Sequence, residues 1–114
     1  MELLTQELRE HLPPLYSQQQ VKDPMVMGKF FHPLADMTWY AIEGSPVDED
    51  GYYDTDKEKV DYLFFGWVYA DFPELDYFSL SEMQAVQVMG LGMERDEHFT
   101  PKKLSEVKKD HGVG

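Results

Sequence analysis

A chain of 114 residues is long enough for one hydrophobic core and too short for two. Twenty-two acids against ten bases give a net charge of −12, and the absence of cysteine rules out disulfides and thiolate metal sites. Such a body repels nucleic acid and anionic membranes and is steered toward basic partners, so the charge favours a basic protein partner over direct nucleic-acid binding.

No apolar run spans a bilayer, and the opening MELLTQELRE is charged where a signal peptide is apolar, which points to a cytoplasmic protein. Thr5 is suited to cap a first helix, with Glu7 in its first turn, Leu8 and Leu12 on the face that docks, and Pro13-Pro14 closing it. LPPLYSQQQVKD then reads as an extended polar connector. Met25 to Phe31 predicts a strand and Met37 to Glu43 a second, with Trp39 and Ala41 on one face and Thr38, Tyr40 and Ile42 on the other. The residues between Pro33 and Met37 are too few for a helix, so the two strands form an antiparallel hairpin.

Residues 44–61 read as an acidic, solvated and mobile loop, with seven acids between Asp48 and Asp61. Tyr62–Tyr69 alternates Leu63, Phe65, Trp67 and Tyr69 against Phe64, Gly66 and Val68, a strand with two apolar faces that both need cover. Burying Leu63, Phe65 and Trp67 contributes about 1.5–3 kcal/mol each. Gly66 marks a bulge, a bend or a close approach. After a turn at Asp71–Asp76, Tyr77–Phe78 begins a short pairing. Ser79 and Glu82 have capping-box spacing for a helix from Leu80 to about Val88, stopped by Gly90 and Gly92. Met93–His98 reads as an edge strand. Thr100 with Pro101 predicts the start of a last helix that runs to about Asp110 and stops at Gly112. The fold class is therefore α+β: one domain over 1–114, with a small antiparallel sheet of about 4–5 strands and short N-terminal, middle and C-terminal helices packed on it.

Candidate chemistry is sparse. Aligning Gly51 to a calcium-loop template puts Pro46 and Lys57 at its two ends, where acids are required, so no metal is assigned there. Glu94, Asp96 and His98 alternate and would share one face of a strand, with Arg95 on the other; a wet polar edge explains them without a metal or a catalytic base. Trp39, Tyr40, Phe65, Trp67, Tyr69 and Tyr77 are candidates for an apolar pocket with Glu43 or Arg95 as polar anchor, although such residues are more often core. There is no phosphate loop, nucleophile elbow or helical metal-binding histidine pair.

LPPLYSQ, KFFHPLADMTWYAIEG, FFGWV, ELDYFSLSEM and ERDEHFTPKKLSEV, in this order, resemble the bacterial family known as domain of unknown function 2958 over nearly the whole chain. The resemblance implies an association with plasmids, integrated elements and phages, often near antirestriction genes. It carries no catalytic residues or cofactors, and Asp48–Asp61 looks like a variable insert within it. Three functions follow as expectations. The first is a non-enzymatic acidic interaction protein that counters a host defence by presenting DNA-like charge. The second is a small-ligand or enzymatic domain using the aromatic face with Glu43, Glu94, Arg95, Asp96 and His98. The third is an accessory subunit with an exposed apolar patch from Phe30, Phe31 or Trp39.

Overall fold

The computed structural model describes residues 1–114. In chain order the elements are α1 (Gln6–His11), β1 (Met25–Val26), β2 (Gly28–Phe31), β3 (Thr38–Val47), β4 (Asp61–Tyr69), β5 (Glu74–Ser79) and α2 (Leu80–Ala85). There follow β6 (Gln87–Val88), β7 (Leu91–Gly92), β8 (Glu94–Arg95), β9 (Lys102–Lys103) and α3 (Leu104–Asp110). A five-stranded antiparallel sheet has the order β5-β4-β3-β2-β8, and β1-β9 and β6-β7 form two small ribbons. With its three short helices, this is a small α+β fold.

Both faces of the sheet are covered, as the two apolar faces of β4 require. On the first face Phe64 and Tyr62 of β4 pack with Phe30, Phe78, Leu8 and Met83, under α1 and α2. On the second, Trp67 packs with Tyr40, Ile42, Val26 and the α3 residues Leu104 and Val107. Trp39 and Ala41 lie with the first cluster, Tyr40 and Ile42 with the second, as the period-two pattern predicts. Phe65 and Leu63 are only half-buried; the deepest residues of β4 are instead Phe64, Trp67 and Tyr62.

Local signals were obeyed where one side chain could satisfy one backbone group. Thr5 accepts the Leu8 amide at 3.1 Å. The Ser79 hydroxyl accepts the Glu82 amide while Glu82 accepts the Ser79 amide, closing the capping box. Gly66 faces Tyr40 so closely that a Cβ would stand 1.7 Å from the Tyr40 carbonyl oxygen. The pairing slips opposite this point: Ala41 pairs with Gly66 and Glu43 with Phe65, leaving Ile42 as the extra residue of a β-bulge.

Several boundaries differ from the sequence expectation, each for a tertiary reason. The 25–31 segment is two strands, because Met25–Val26 leaves β3 to pair with Lys102–Lys103. That pairing also pulls Lys102 and Lys103 out of the last helix, so Thr100 and Pro101 do not start it. Instead the Asp23 carboxylate accepts the amide and hydroxyl of Ser105 at 2.9 and 2.6 Å, and α3 begins at Leu104. Helix α2 stops at Ala85, since Met89 (φ 53°) and Gly90 (φ 81°) form the two-residue positive-φ turn of the β6-β7 hairpin. The expected 93–98 strand is only Glu94–Arg95, because Asp96 turns the chain by accepting the His98 amide. Tyr77–Phe78 lies inside a longer strand that starts at Glu74.

The 44–61 segment also differs. Gly44 to Val47 continue β3, so the loop begins at Asp48. Asp48 is only 2% exposed, and its carboxylate accepts the amides of Asp50 and Tyr52 and the hydroxyl of Thr55. The loop is thus wound around one carboxylate. The segment after α1 is not an extended connector either: it forms a series of turns from Leu15 to Gln20, with Leu15 buried and its amide donating to Ser45 Oγ at 3.0 Å.

Candidate functional site

Period-two alternation from Tyr40 would carry Glu43 to the same face as Trp39 and Ala41. The bulge at Ile42 re-aims it. Glu43 stands instead in a row with Phe65 and Tyr77 across β3, β4 and β5, and the Phe65 and Tyr77 rings are 4.9 Å apart.

Glu43 is 2% exposed, and no lysine, arginine or histidine nitrogen lies within ion-pair distance of it. Its two oxygens are satisfied by backbone amides instead. Oε1 accepts Tyr16 N–H at 2.9 Å and Oε2 accepts Gln18 N–H at 2.6 Å. Charge-assisted bonds of this kind are about twice as strong as neutral ones, which is how a buried carboxylate is tolerated without a counter-ion.

These bonds have a steric consequence. Tyr16 is held at φ 70°, a left-handed conformation that costs a non-glycine residue roughly 1–2 kcal/mol. Strain of this sort persists only where its surroundings over-determine it. Here the Glu43 carboxylate and, one residue earlier, the Leu15–Ser45 bond do so. The result is that the Tyr16 ring lies over the row, 6.2 Å from Tyr77 and 5.6 Å from Tyr53 of the Asp48 loop.

Tyr16, Tyr53 and Tyr77 are 43, 40 and 41% exposed, and Leu75 and Tyr52 are also exposed nearby in sequence. The Tyr77 hydroxyl is raised above its ordinary value by partial burial, then by Tyr16 and the negative Glu43. Sequence reasoning named Glu43 and Tyr77 but missed Tyr16 and Tyr53. No periodicity links residues 16, 43, 53 and 77, and the bulge that joins them is a property of the pairing.

The remaining sequence candidates fall elsewhere. Trp39 packs on Phe78 on the first face. Tyr40 and Trp67 lie under α3 on the second, where the Tyr40 hydroxyl is 2.6 Å from His111 Nε2 and the His111 ring is 4.1 Å from Tyr69. Burial, with Asp110 and Asp96 adding, pushes the Tyr40 hydroxyl up to about 12. The six aromatics thus divide between two faces and do not line one pocket.

Glu94, Asp96 and His98 do not share a strand face, because the strand ends at Arg95. Asp96 faces Lys29 at 3.6 Å and His98 is exposed. Arg95 and Asp96 do border a cleft of about 260 Å³ with Lys29, Glu7, His11 and Glu97, and Arg95 Nε is buried without a hydrogen-bond partner. Phe30 is fully buried and Phe31 and Trp39 half-buried, so they form no exposed patch. His32, at an element end, is structural: Nδ1 accepts the Leu34 and Ala35 amides and Nε2–H donates to the Leu91 carbonyl.

The sequence from Leu3 to Lys109 matches the family model described as Protein of unknown function (DUF2958). The chain belongs to this family. No curated protein and no solved structure matches this DUF2958 chain. No helix in it is long and apolar enough to cross a membrane.

Charge is distributed in step with the tyrosines. Residues 43–82, which form the end of β3, the Asp48 loop, β4, β5 and the first turn of α2, hold 12 acids and 2 bases, a balance of −10. The rest of the chain holds 10 acids and 8 bases, a balance of −2. Of those twelve acids Glu43 and Asp48 are buried; the other ten lie in the same segment as the exposed Tyr52, Tyr53 and Tyr77.

Proposed function

We propose that this chain is a non-enzymatic interaction protein of the cytoplasm that binds a basic protein partner through the β3–β4–β5 half of its sheet. The observation that carries this reading is the concentration of −10 of the −12 charge on residues 43–82, beside a surface of exposed tyrosines. Tyrosine is enriched in binding hot spots because it brings a large, rigid area with a polar tip, and a one-signed field raises the rate at which a basic partner arrives. Within a mobile element, the partner is a host defence protein that holds DNA, and the acidic half of the sheet occupies its DNA-binding groove in place of phosphates.

The test is a pull-down from host lysate at low salt, eluted by a salt gradient and then by competing duplex DNA. The expected result is one basic, nucleic-acid-binding protein, released by either. Retention of no partner at any salt would sink the proposal. A second reading rests on the unpartnered Arg95 Nε: the cleft between α1, β2 and β8 binds a small anionic ligand. A thermal-shift screen of small carboxylates and phosphates, repeated on Arg95→Ala, tests it directly.

A further inference from the structure

We infer that the Tyr16–Tyr53–Tyr77 surface receives an arginine side chain from a basic segment of the partner, and that it selects arginine over lysine. This rests on the proposed function and specifies the chemistry of its contact.

Three observations lead to this occupant. First, three tyrosine rings, each about 40% exposed, stand 5.6 and 6.2 Å from one another around Tyr16. They are tilted by 47 and 51°, so they do not bury one another's faces by stacking. Second, Glu43 beneath them is a buried carboxylate with amide donors but no cation. Its field therefore reaches the rings unneutralised by any ion pair, and a cation placed on the rings gains from it as well as from the negative ring faces. Third, residues 43–82, which include Tyr53 and Tyr77, hold 12 acids against 2 bases, a balance that repels an anionic or nucleic-acid occupant.

Arginine fits better than lysine on physical grounds. The guanidinium is planar, stacks on aromatic faces and is weakly hydrated, whereas an ammonium holds its water and offers no flat face.

The same half of the sheet argues against a partner that adds as a sixth strand. β5 is an edge, but its Tyr77 amide is taken by Asp76 Oδ1 at 2.7 Å and its Ser79 amide by Glu82 Oε1 at 3.0 Å. Carboxylates on an edge are a known guard against strand pairing. The partner thus meets side chains rather than the backbone edge.

The experiment compares two synthetic peptides of equal length and charge, one bearing arginines and the other lysines, titrated calorimetrically into the full chain at low and moderate salt. The arginine peptide is expected to bind about tenfold more tightly. Tyr77→Leu, which keeps apolar area but removes the ring, should erase that preference, while Tyr52→Ala, outside the ring contacts, should not. Tyr16→Leu serves as the second variant should Tyr77→Leu fail to fold.

Equal binding of the two peptides, unchanged by Tyr77→Leu, would overturn the arginine site while leaving the acidic-interaction reading standing. Absence of binding by both peptides at low salt would overturn both. Self-association of the chain that Tyr77→Leu abolishes would assign this face to a second copy and also overturn the arginine site.

Discussion

The Glu43 carboxylate accepts the backbone N–H of Tyr16 across 27 residues of sequence, at 2.9 Å, and so sets the conformation of a residue that would otherwise avoid it. Fold and candidate surface are joined through this one bond. Glu43→Gln keeps the shape but sets a donor amide against a backbone donor. It should destabilise the fold by about 1–3 kcal/mol, read from chemical denaturation. A loss within error of zero would show that the carboxylate is not what satisfies the two amides.

The strain at Tyr16 can be isolated by comparing two truncations. Tyr16→Gly and Tyr16→Ala both remove the ring, but only glycine adopts φ 70° freely. Tyr16→Gly should therefore be the more stable of the two by about 1 kcal/mol. If alanine is equal or better, the left-handed conformation is not imposed by Glu43.

Gly66→Ala should be among the most damaging single changes in the chain. Its Cβ would meet the Tyr40 carbonyl oxygen at 1.7 Å, a backbone atom that cannot swing aside. The cost should reach at least about 4 kcal/mol, enough to abolish cooperative unfolding in a small domain. Gly51→Ala supplies the contrast: φ is 87° but the space is open, so about 1 kcal/mol is expected.

Much of this was legible in advance, and what was not has a common cause. The period-two pattern of β4 predicted two covered faces, Ser79 and Glu82 predicted their cap, and Gly66 marked a bulge, a bend or a close approach, of which the close approach to Tyr40 is found. Each depends on residues adjacent in sequence. The Ile42 bulge, the Thr55 bond that closes the loop on Asp48 and the capping of α3 by Asp23 instead join residues 7 to 82 positions apart. Asp48 in particular reads as one acid among seven, and nothing local marks it as the buried one. The candidate surface inherits this: Glu43 and Tyr77 were visible as an acid and an aromatic, but their row exists only through the bulge.

The Asp48 carboxyl lies below its ordinary value of 3.8, chiefly through the Thr55 hydroxyl bond and then the Tyr52 and Asp50 amides against some burial. A depressed carboxylate contributes stability that is complete above the unfolded value and lost as pH falls through the folded one. The loop should therefore hold its structure at neutral pH and open in acid, as pH falls below the ordinary 3.8 and through the lower folded value. Amide signals of Asp50 and Tyr52 followed by NMR check this, and Asp48→Asn, which cannot ionise, should loosen the loop at neutral pH and remove its acid-dependent opening. An opening insensitive to that change would remove Asp48 from its role.

His111 lies below its ordinary 6.5, first through burial against Tyr40, Trp67 and Tyr69, then through Lys29. Its neutral form is the folded one, so its contribution is complete above the unfolded value and lost as pH falls from about 6.5 through the folded value. Docking of α3 should loosen over that range. His111→Phe, which cannot charge, should flatten the dependence in thermal unfolding; a profile identical to that of the native chain would contradict this.

The most direct test of the account is an NMR titration of the labelled chain with the arginine peptide, read residue by residue. The account predicts shifts confined to the amides of Tyr16, Gln18, Tyr53, Phe65 and Tyr77, collapsing as salt is raised. Shifts centred on Arg95, Asp96 and Lys29, with residues 16 and 77 unmoved, would place binding in the α1–β2–β8 cleft and contradict it.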